Sequence, residues 1–321
     1  MSLTVLLGQL SGSHRADSGF DVRFHCLPAE ELLDFCGSED FISRFMQQHS
    51  SHSREAIFGL ESHVAAVVLD LFSTTFLDVT CNLDLPGYVY FTSTASLLSL
   101  VLRLLVLDQE MLVDFEEMEG VVDLLGLLFA PPQVLEIAAG LERSGHRFLW
   151  VLRGQPAAGM PYPTDAVVDE LLPEGFLERT KEKGLVWSKW APQKEILAHP
   201  AVGGFATHCG WNSTLESLWN GVPLLPWPLY AEQHLNAFEL VAAMGVAVEM
   251  KVDRKRDNFV EAAELERAVR CLMDEGSEEG RMAREKAAEA KTACRNAVEE
   301  DGSSFVALQK LSQEMIHVSS K

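Results

Sequence analysis

Residues 190–233 read WAPQKEILAHPAVGGFATHCGWNSTLESLWNGVPLLPWPLYAEQ, and this stretch decides the fold class of the 321-residue chain. Short apolar runs alternate in it with helical segments, which is the pattern of a parallel sheet covered by helices on both faces. Polar side chains gather where an apolar run gives way to a helix, and they are His208, Asn212, Ser213 and Glu216, then Glu232 and Gln233. Because ligands of parallel sheets bind at the carboxyl ends of strands, these two junctions predict a ligand site.

The alternation of strand and helix continues on both sides of this stretch and predicts an α/β protein. Predicted strands are LTVLLG (from Leu3), DVRFHCL (from Asp21), AAVVLDL (65–71), YVYFTS (88–93), RFLWVLR (147–153), GLVWSKW (184–190), VGGFATH (202–208), VPLLPWP (222–228) and VAVEM (246–250). The continuous apolar run at 65–71 is typical of a strand buried on both faces. Prolines near the start of 130–144 and Gly145 beyond its end predict a helix there.

An acidic segment, DFEEMEG (114–120), separates two series of strands and helices and predicts a domain boundary. We expect a first domain over residues 1–120, a shortened junction over 121–130 and a second domain over 131–321. The charged segment from about Ala262 onward is strongly helical in pattern and predicts that the second domain ends in helices.

Composition excludes several classes of partner. The net charge of −21 makes nucleic acid and anionic membranes poor partners. The six cysteines are scattered without a CxxC pair, which predicts neither a zinc site nor a disulfide framework and fits a reducing cytoplasm. The longest apolar stretch, Leu97–Leu107, is interrupted by Ser99 and Arg103 and is too short to span a bilayer, so we expect a buried helix. The first residues lack the pattern of a signal peptide.

The turn after VGGFATH has two interpretations. Gly210 lets the backbone turn tightly, and Asn212 and Ser213 then begin a helix whose free N–H groups attract an anion. His208, at the end of the strand, could donate a hydrogen bond to a phosphate oxygen. Ser213 and Glu216 equally fit the S-x-x-E capping box, which stabilises a helix without any ligand.

The second junction is similarly ambiguous. Glu232 and Gln233 suit adjacent sugar hydroxyls because they offer acceptors and donors together. Acidic residues are, however, favoured in the first turn of any helix. The helix that begins here is expected to turn Leu235, Phe238 and Ala242 toward the core.

Trp190 ends a predicted strand just before Ala191-Pro192-Gln193. Its ring could stack on a planar base. A tryptophan at the end of a strand is more often simply part of the hydrophobic core, so both interpretations stay open.

The order of these pieces resembles the signature box of plant UDP-dependent glycosyltransferases of secondary metabolism. The shared pieces are WAPQ (190–193), HPAVGGF (199–205), THCGWNS (207–213), Glu216, GVP (221–223) and the final EQ (232–233). Residues 65–79, 88–100, 169–187 and 234–248 also resemble this family, so the likeness covers most of the chain. The sequence most resembles that of members that glucosylate phenols such as hydroquinone, flavonoids and anthocyanidins.

The resemblance implies the GT-B fold, in which two Rossmann-like domains face each other across a cleft. The N-terminal domain, incomplete here, would bind a small phenolic acceptor, and the C-terminal domain would bind the UDP-sugar. By position, the donor contacts would be Trp190 and Ala191 for uracil, Gln193 and Glu216 for ribose, His208, Asn212 and Ser213 for the diphosphate, and Trp211, Glu232 and Gln233 for the sugar. A final glutamine is usual for users of UDP-glucose, which would be the donor substrate, with no other cofactor and no metal.

The resemblance also implies an inverting displacement. In the family a histidine near the start of the first domain takes the proton of the acceptor hydroxyl, and an aspartate orients that histidine. The aspartate matches Asp70 in VVLDLFST, which could equally cap the next helix. Leaving-group charge would be stabilised by helix-end N–H groups and by His208.

Two parts of the family pattern have no match in the sequence. The first is the base histidine, because His14 lies in a polar loop, His25 lies in a strand pattern, and His49, His52 and His63 look like surface or structural residues. The second is the first donor-domain strand with its Phe-Gly-Ser loop. VVDLLGLLF (121–129) either replaces that strand or packs as an irregular apolar connector.

These departures leave an alternative function open. The chain could be a UDP-sugar-binding protein or truncated isoform with impaired catalysis, associated with full-length relatives. A nicotinamide-dependent dehydrogenase is disfavoured, since no GxGxxG follows an N-terminal strand.

Overall fold

The computed structural model describes residues 3–10, 22–30, 44–60, 63–110, 129–154 and 164–318. Two compact units make up the chain, and they are Met1–Ser93 with Ser304–Lys321, and Thr94–Ser303. The predicted domain junction at 121–130 lies almost entirely outside the described residues, and the domain boundaries therefore stay a prediction.

The first unit is built from two pairs of parallel strands. In chain order its elements are β1 (Leu3–Leu10), β2 (Val22–Glu30), α1 (Ser50–Phe58), β3 (Val67–Asp70), a 3-10 helix (Leu71–Phe76), α2 (Leu77–Asn82) and β4 (Gly87–Tyr90). β1 pairs with β2, and β3 pairs with β4, each in parallel. The strands predicted in this half of the sequence are confirmed, and the parallel pairing agrees with the predicted α/β class.

The second unit contains most of the regular structure. Its elements are α3 (Ala95–Glu110), α4 (Pro131–Ser144), β5 (Phe148–Val151), β6 (Arg153–Gly154), β7 (Thr164–Asp165), α5 (Val168–Leu171), α6 (Phe176–Thr180), β8 (Gly184–Trp187), α7 (Gln193–Leu197), β9 (Phe205–Thr207), α8 (Trp211–Asn220), β10 (Leu224–Pro226), α9 (Gln233–Phe238), a π-helix (Glu239–Ala243), a 3-10 helix (Arg254–Arg256), α10 (Ala262–Met273) and α11 (Glu278–Val298). The last helix, α12 (Ser303–Val318), groups with the first unit except for its first residue.

The core of the second unit forms where α4 and α10 pack together beside the strands. Gln133 is buried, its Nε2 donates to the carbonyl of Val260 at 2.9 Å, and its Oε1 accepts from the N–H of Val260 at 2.8 Å. Gly140 allows the two helices to approach, because a Cβ atom there would lie 2.9 Å from both the carbonyl oxygen of Ala262 and Cβ of Leu265. The helix predicted at 130–144 is confirmed, and Gly145 ends it with φ 75°.

Two pairs of parallel strands carry the site of the second unit. β5 pairs with β8, and β9 pairs with β10, in parallel registers. The predicted strand VAVEM does not form, because only Ala247 bridges, in parallel, to Leu224. Of the predicted strand VGGFATH, only Phe205–Thr207 forms β9. The strand therefore ends directly before His208.

Burial departs from the sequence-based expectation at two places. Val68 is 54% exposed, so β3 is not buried on both faces as its apolar run suggested. The helix expected to be buried at 97–107 has Leu98, Leu100 and Leu102 exposed. Apolar composition alone therefore overestimated burial here. Of the helices that the structure describes, none has the length and apolar character needed to cross a lipid bilayer.

Candidate functional site

The start of α8 has backbone N–H groups that the cap of the helix leaves open. Gly210 is the N-cap residue, with φ −59° and ψ 140°, and no side chain caps the helix. The first i→i−4 hydrogen bond of the helix runs from the N–H of Thr214 to the carbonyl oxygen of Gly210 at 3.0 Å. The N–H groups of residues 211–213 come before this bond and are the open N–H groups of the helix start. The capping box predicted for Ser213 and Glu216 is wrong, because Ser213 lies inside the helix. The helix dipole places partial positive charge at these N–H groups.

His208 lies between the end of β9 and this helix. Its imidazole packs over Gly210 so closely that a Cβ atom on Gly210 would overlap Nε2 of His208. A side chain on residue 210 would therefore have to displace the imidazole. Burial lowers the pKa of the His208 imidazole below its ordinary value. The ring is therefore neutral at neutral pH and has one N–H to donate beside the start of α8.

Three polar residues predicted for the site are joined by hydrogen bonds. Gln193 begins α7, and its Nε2 donates to Oγ of Ser213 at 3.1 Å and to Oε2 of Glu216 at 2.7 Å. The contact links two helices that are about twenty residues apart in the chain. Glu216 is thus engaged by a side chain from another helix and not by the backbone of its own first turn.

Trp190 is 76% exposed, so its assignment to the hydrophobic core is wrong. Its carbonyl oxygen accepts a hydrogen bond from Nε1 of Trp187 at 3.2 Å, which fixes the backbone after β8. Ala191 follows it and is half-buried. Two residues separate Trp190 from Gln193, which belongs to the hydrogen-bonded cluster. An exposed indole face in this position can stack on a planar ring.

The junction before α9 is held by a buried glutamine. Gln233 is 2% exposed, and its Oε1 accepts from the N–H groups of Leu229 at 3.0 Å and Tyr230 at 3.3 Å. Glu232 is the N-cap residue, is half-buried and makes no side-chain cap bond. The carboxylate therefore stays available to a ligand, whereas the carboxamide oxygen of Gln233 already has partners.

The predicted inner face of α9 is wrong at two of its three residues. Phe238 is 66% exposed and Ala242 is exposed, while the buried residues of this region include Gln233, Asn236 and Leu240. Sequence analysis missed Asn236, which is 1% exposed and bonds to the loop before α8. Its spacing of three from Gln233, one helical turn, was the signal that both side chains share a face.

Asp70 belongs to the first unit and caps the 3-10 helix that follows β3. Its Oδ1 accepts from the N–H groups of Phe72 at 2.8 Å and Ser73 at 2.9 Å. The capping interpretation of Asp70 is confirmed. Both hydrogen bonds that the structure describes for this carboxylate are local, and neither involves a histidine.

A cap of this kind predicts a loss of stability on substitution. We expect Asp70→Ala to lower the free energy of unfolding by about 1 kcal/mol, since two N–H groups lose their acceptor. Asp70→Asn keeps an acceptor oxygen and should lose much less. Denaturant titration of both variants checks this expectation, and equal losses for alanine and asparagine would contradict it.

The histidines considered as a base are placed as follows. His25 and His63 are exposed, whereas His49 is buried with its ring packed edge-on against Phe45 at a centroid distance of 4.6 Å. His14 lies outside the described residues. Within the part of the chain that is described, no group of three or more His, Cys, Asp or Glu side chains is arranged to hold a metal ion.

The second unit thus combines parallel strand pairs, a half-buried histidine beside a helix N-terminus and an exposed tryptophan, which is the arrangement of an α/β protein with a candidate ligand site at its strand ends. A sequence model of the UDP-glucoronosyl and UDP-glucosyl transferase family matches residues 123–283. The malvidin galactosylase UGT88C3 of Oryza sativa subsp. japonica is 45% identical, over 94% of this chain and 86% of that protein. UDP-glycosyltransferase 43 of Pueraria montana var. lobata is 35% identical, over 86% and 82%. The chain belongs to the family of plant UDP-glycosyltransferases.

Solved structures agree with this assignment. UGT2 of Phytolacca americana, complexed with UDP-2fluoro-glucose and pterostilbene, has a TM-score of 0.82 at 28% identity and covers 98% of this chain and 92% of that one. Medicago truncatula UGT71G1, complexed with UDP-glucose, has a TM-score of 0.78 at 27% identity with the same two coverages. The fold is GT-B.

The chain is shorter than its relatives within the matched region. The alignment with UGT88C3 extends over 413 residues, which exceeds the 321 residues of this chain. That relative therefore has internal segments with no counterpart here. The family relationship supports transfer of a glycosyl group from a UDP-sugar to a small-molecule acceptor.

Proposed function

We propose that the chain transfers glucose from UDP-glucose to a hydroxyl of a small phenolic or flavonoid-like acceptor, with inversion and without a required metal. UGT88C3 is named for malvidin, and the UGT2 structure holds pterostilbene, so phenolic acceptors are the class that the relatives support. We further propose a cytoplasmic setting, which the free state of the cysteines in the described residues supports.

The observation that carries this proposal is the packing of His208 over the open start of α8. In the transfer, the acceptor oxygen bonds to the anomeric carbon while the bond from that carbon to the UDP oxygen breaks. Negative charge then collects on the leaving diphosphate. The N–H groups of residues 211–213 and the imidazole N–H would stabilise that charge, together with the side chains of Asn212 and Ser213.

The other donor contacts follow from the same site. Trp190 would stack on uracil with the backbone of Ala191 at the base edge, and Gln193 and Glu216 would bind the ribose hydroxyls. Trp211, Glu232 and Gln233 would contact the sugar. Since Oε1 of Gln233 accepts two backbone N–H groups, its Nε2 is the atom that it would offer to a sugar hydroxyl.

The identity of the sugar needs its own test. The final glutamine supports glucose, whereas the name of UGT88C3 refers to galactose, which differs at one carbon. Calorimetric titration with UDP-glucose and UDP-galactose, followed by incubation with phenolic acceptors and product analysis, tests the function. A β-glucoside made only from UDP-glucose supports the proposal, and failure of well-folded protein to bind either donor at millimolar concentration overturns it.

A second candidate is a UDP-sugar-binding protein with impaired catalysis. The observation that favours it is the commitment of Asp70 to local backbone bonds in the described structure. In the same pair of assays, donor binding without any glucoside would support this candidate. Association with full-length relatives stays a prediction.

The lowered pKa of His208 predicts a pH dependence of donor binding. A bound diphosphate would raise this pKa, so binding takes up a proton, and affinity for UDP-glucose should increase as the pH falls through the pKa of the bound state. The gain is up to about tenfold for each unit by which binding raises the pKa. UDP-glucose is the right probe, because the terminal phosphate of UDP titrates near pH 6 as phosphate monoesters do.

His208→Gln is the control for this profile, since its amide does not titrate. Calorimetry at several pH values should give a sloping profile for the unmodified protein and a flat one for the variant. Equal slopes in both proteins would show that another group is responsible.

A further inference from the structure

Two residues of the site hold backbone conformations that L-amino acids rarely adopt. Among the described residues, six non-glycine residues have positive φ, and four of these are aspartate or asparagine, which tolerate it. The other two are Cys209, with φ 66°, and Ala231, with φ 49°. Both lie in the loops of the site, directly after His208 and directly before Glu232. Strain of this kind persists only where surrounding contacts enforce it.

Asn236 on α9 contacts the backbone of Cys209. Nδ2 of Asn236 donates to the carbonyl oxygen of Cys209 at 2.9 Å, and the asparagine is 1% exposed. The N–H of Cys209 donates to Oγ1 of Thr207 at 3.3 Å, so both sides of this residue are held. Cys209 is fully buried, which leaves it no room to relax.

The neighbouring polar residue of α9 acts on the other loop. Gln233 accepts the N–H groups of Leu229 and Tyr230, immediately before the strained Ala231. The two buried polar side chains of one helical turn therefore bind the two loops that would contact the diphosphate and the sugar.

We propose that Asn236 is a positioning residue that keeps Cys209 left-handed and so holds the imidazole of His208 over the start of α8. This inference rests on the proposed donor site and deepens it. Rotation of the Cys209 backbone would carry His208 away from Gly210, because the two residues flank it. The N–H of the imidazole and those of residues 211–213 would then no longer converge on one anion.

The alternative is that Asn236 only adds stability, as any buried hydrogen bond does. Ser217 provides a matched control in the same unit. It is fully buried, and its Oγ donates to the carbonyl of Val222 at 2.7 Å, away from the start of α8. Ser217→Ala and Asn236→Ala both remove one buried side-chain bond to a backbone carbonyl.

Donor affinity separates the two possibilities. We expect Asn236→Ala to raise the dissociation constant for UDP-glucose about threefold to tenfold, the effect of losing one hydrogen bond, while Ser217→Ala leaves it unchanged. Cys209→Gly should reduce the effect of Asn236→Ala, since glycine adopts positive φ without strain. Equal affinities of Asn236→Ala and the unmodified protein would overturn the proposal, as would an equal loss in Ser217→Ala.

A ligand-free measurement keeps this test separate from the proposed function. The NMR titration of the His208 imidazole should shift to higher pH in Asn236→Ala, because the half-buried ring becomes more exposed, and should not shift in Ser217→Ala. If the unmodified protein does not bind UDP-glucose, only the proposed donor site is refuted. If the His208 titration is the same in Asn236→Ala as in the unmodified protein, the role of Asn236 is refuted. If Asn236→Ala does not fold, Asn236→Leu keeps a similar volume and has no hydrogen-bond donor.

Discussion

His208→Ala is expected to raise the dissociation constant for UDP-glucose about tenfold to a hundredfold. A hydrogen bond to a charged group contributes about 1.5–3 kcal/mol, and 1.4 kcal/mol corresponds to a factor of ten. The imidazole packs directly on the N-cap residue Gly210, so its N–H lies beside the backbone N–H groups of α8. Removal of the ring leaves these N–H groups in place, which is why some affinity should remain.

His146→Ala is the matched control for this prediction. His146 belongs to the same unit, and its Nε2 pairs with Oδ1 of Asp274 at 2.8 Å on the surface. Isothermal titration calorimetry should show donor affinity unchanged in His146→Ala and strongly reduced in His208→Ala. Thermal unfolding of both variants establishes that they are folded. Unchanged affinity in His208→Ala would remove this residue from the phosphate site.

Trp190→Ala is expected to weaken UDP-glucose and UDP alike, by about fivefold to a hundredfold. Stacking of a base on an aromatic side chain contributes about 1–3 kcal/mol. Because the indole is 76% exposed, its truncation leaves no cavity in a core and should hardly change the free energy of unfolding. Equal losses for the two ligands are the signature of a contact to uracil, which both ligands share.

Two further variants sharpen the Trp190 prediction. Trp190→Phe keeps an aromatic face and should retain most of the affinity. Trp219→Ala is the control, since Trp219 is another exposed tryptophan, on α8, with the guanidinium of Arg295 5.7 Å from its ring centroid. A loss of affinity for UDP-glucose but not for UDP in Trp190→Ala would place this side chain at the sugar instead.

Local patterns in the sequence predicted those features of the fold that depend on local chemistry. Prolines at the start and Gly145 at the end specify α4, because proline fits a first helical turn and glycine adopts positive φ. The strand at 205–207 was predicted from its apolar run, and the ligand site was predicted where that strand ends. Family likeness then supplied the individual contacts.

The failures arise where a residue's environment is set by distant parts of the chain. Ser213 matched a capping box in sequence, yet the helix begins two residues earlier, and Gln193 from another helix engages Glu216. The assignment of Trp190 to the core was wrong, because an apolar side chain at the end of a strand is buried only if another part of the chain packs over it, and the local sequence does not show whether one does. Asn236 was missed because its partner, Cys209, is 27 residues away.

The bond between Gln193 and Glu216 also has a consequence for nucleotide choice. Nε2 of Gln193 donates to Oε2 of Glu216, and in the proposed donor site each of these groups would bond to a ribose hydroxyl instead. With a deoxyribose, Gln193 and Glu216 could hydrogen-bond to each other again, so neither group would be left without a partner. Sites reject an analogue strongly only when its missing hydroxyl leaves protein groups unpaired. The pocket should therefore tolerate deoxynucleotide donors better than an open ribose site would.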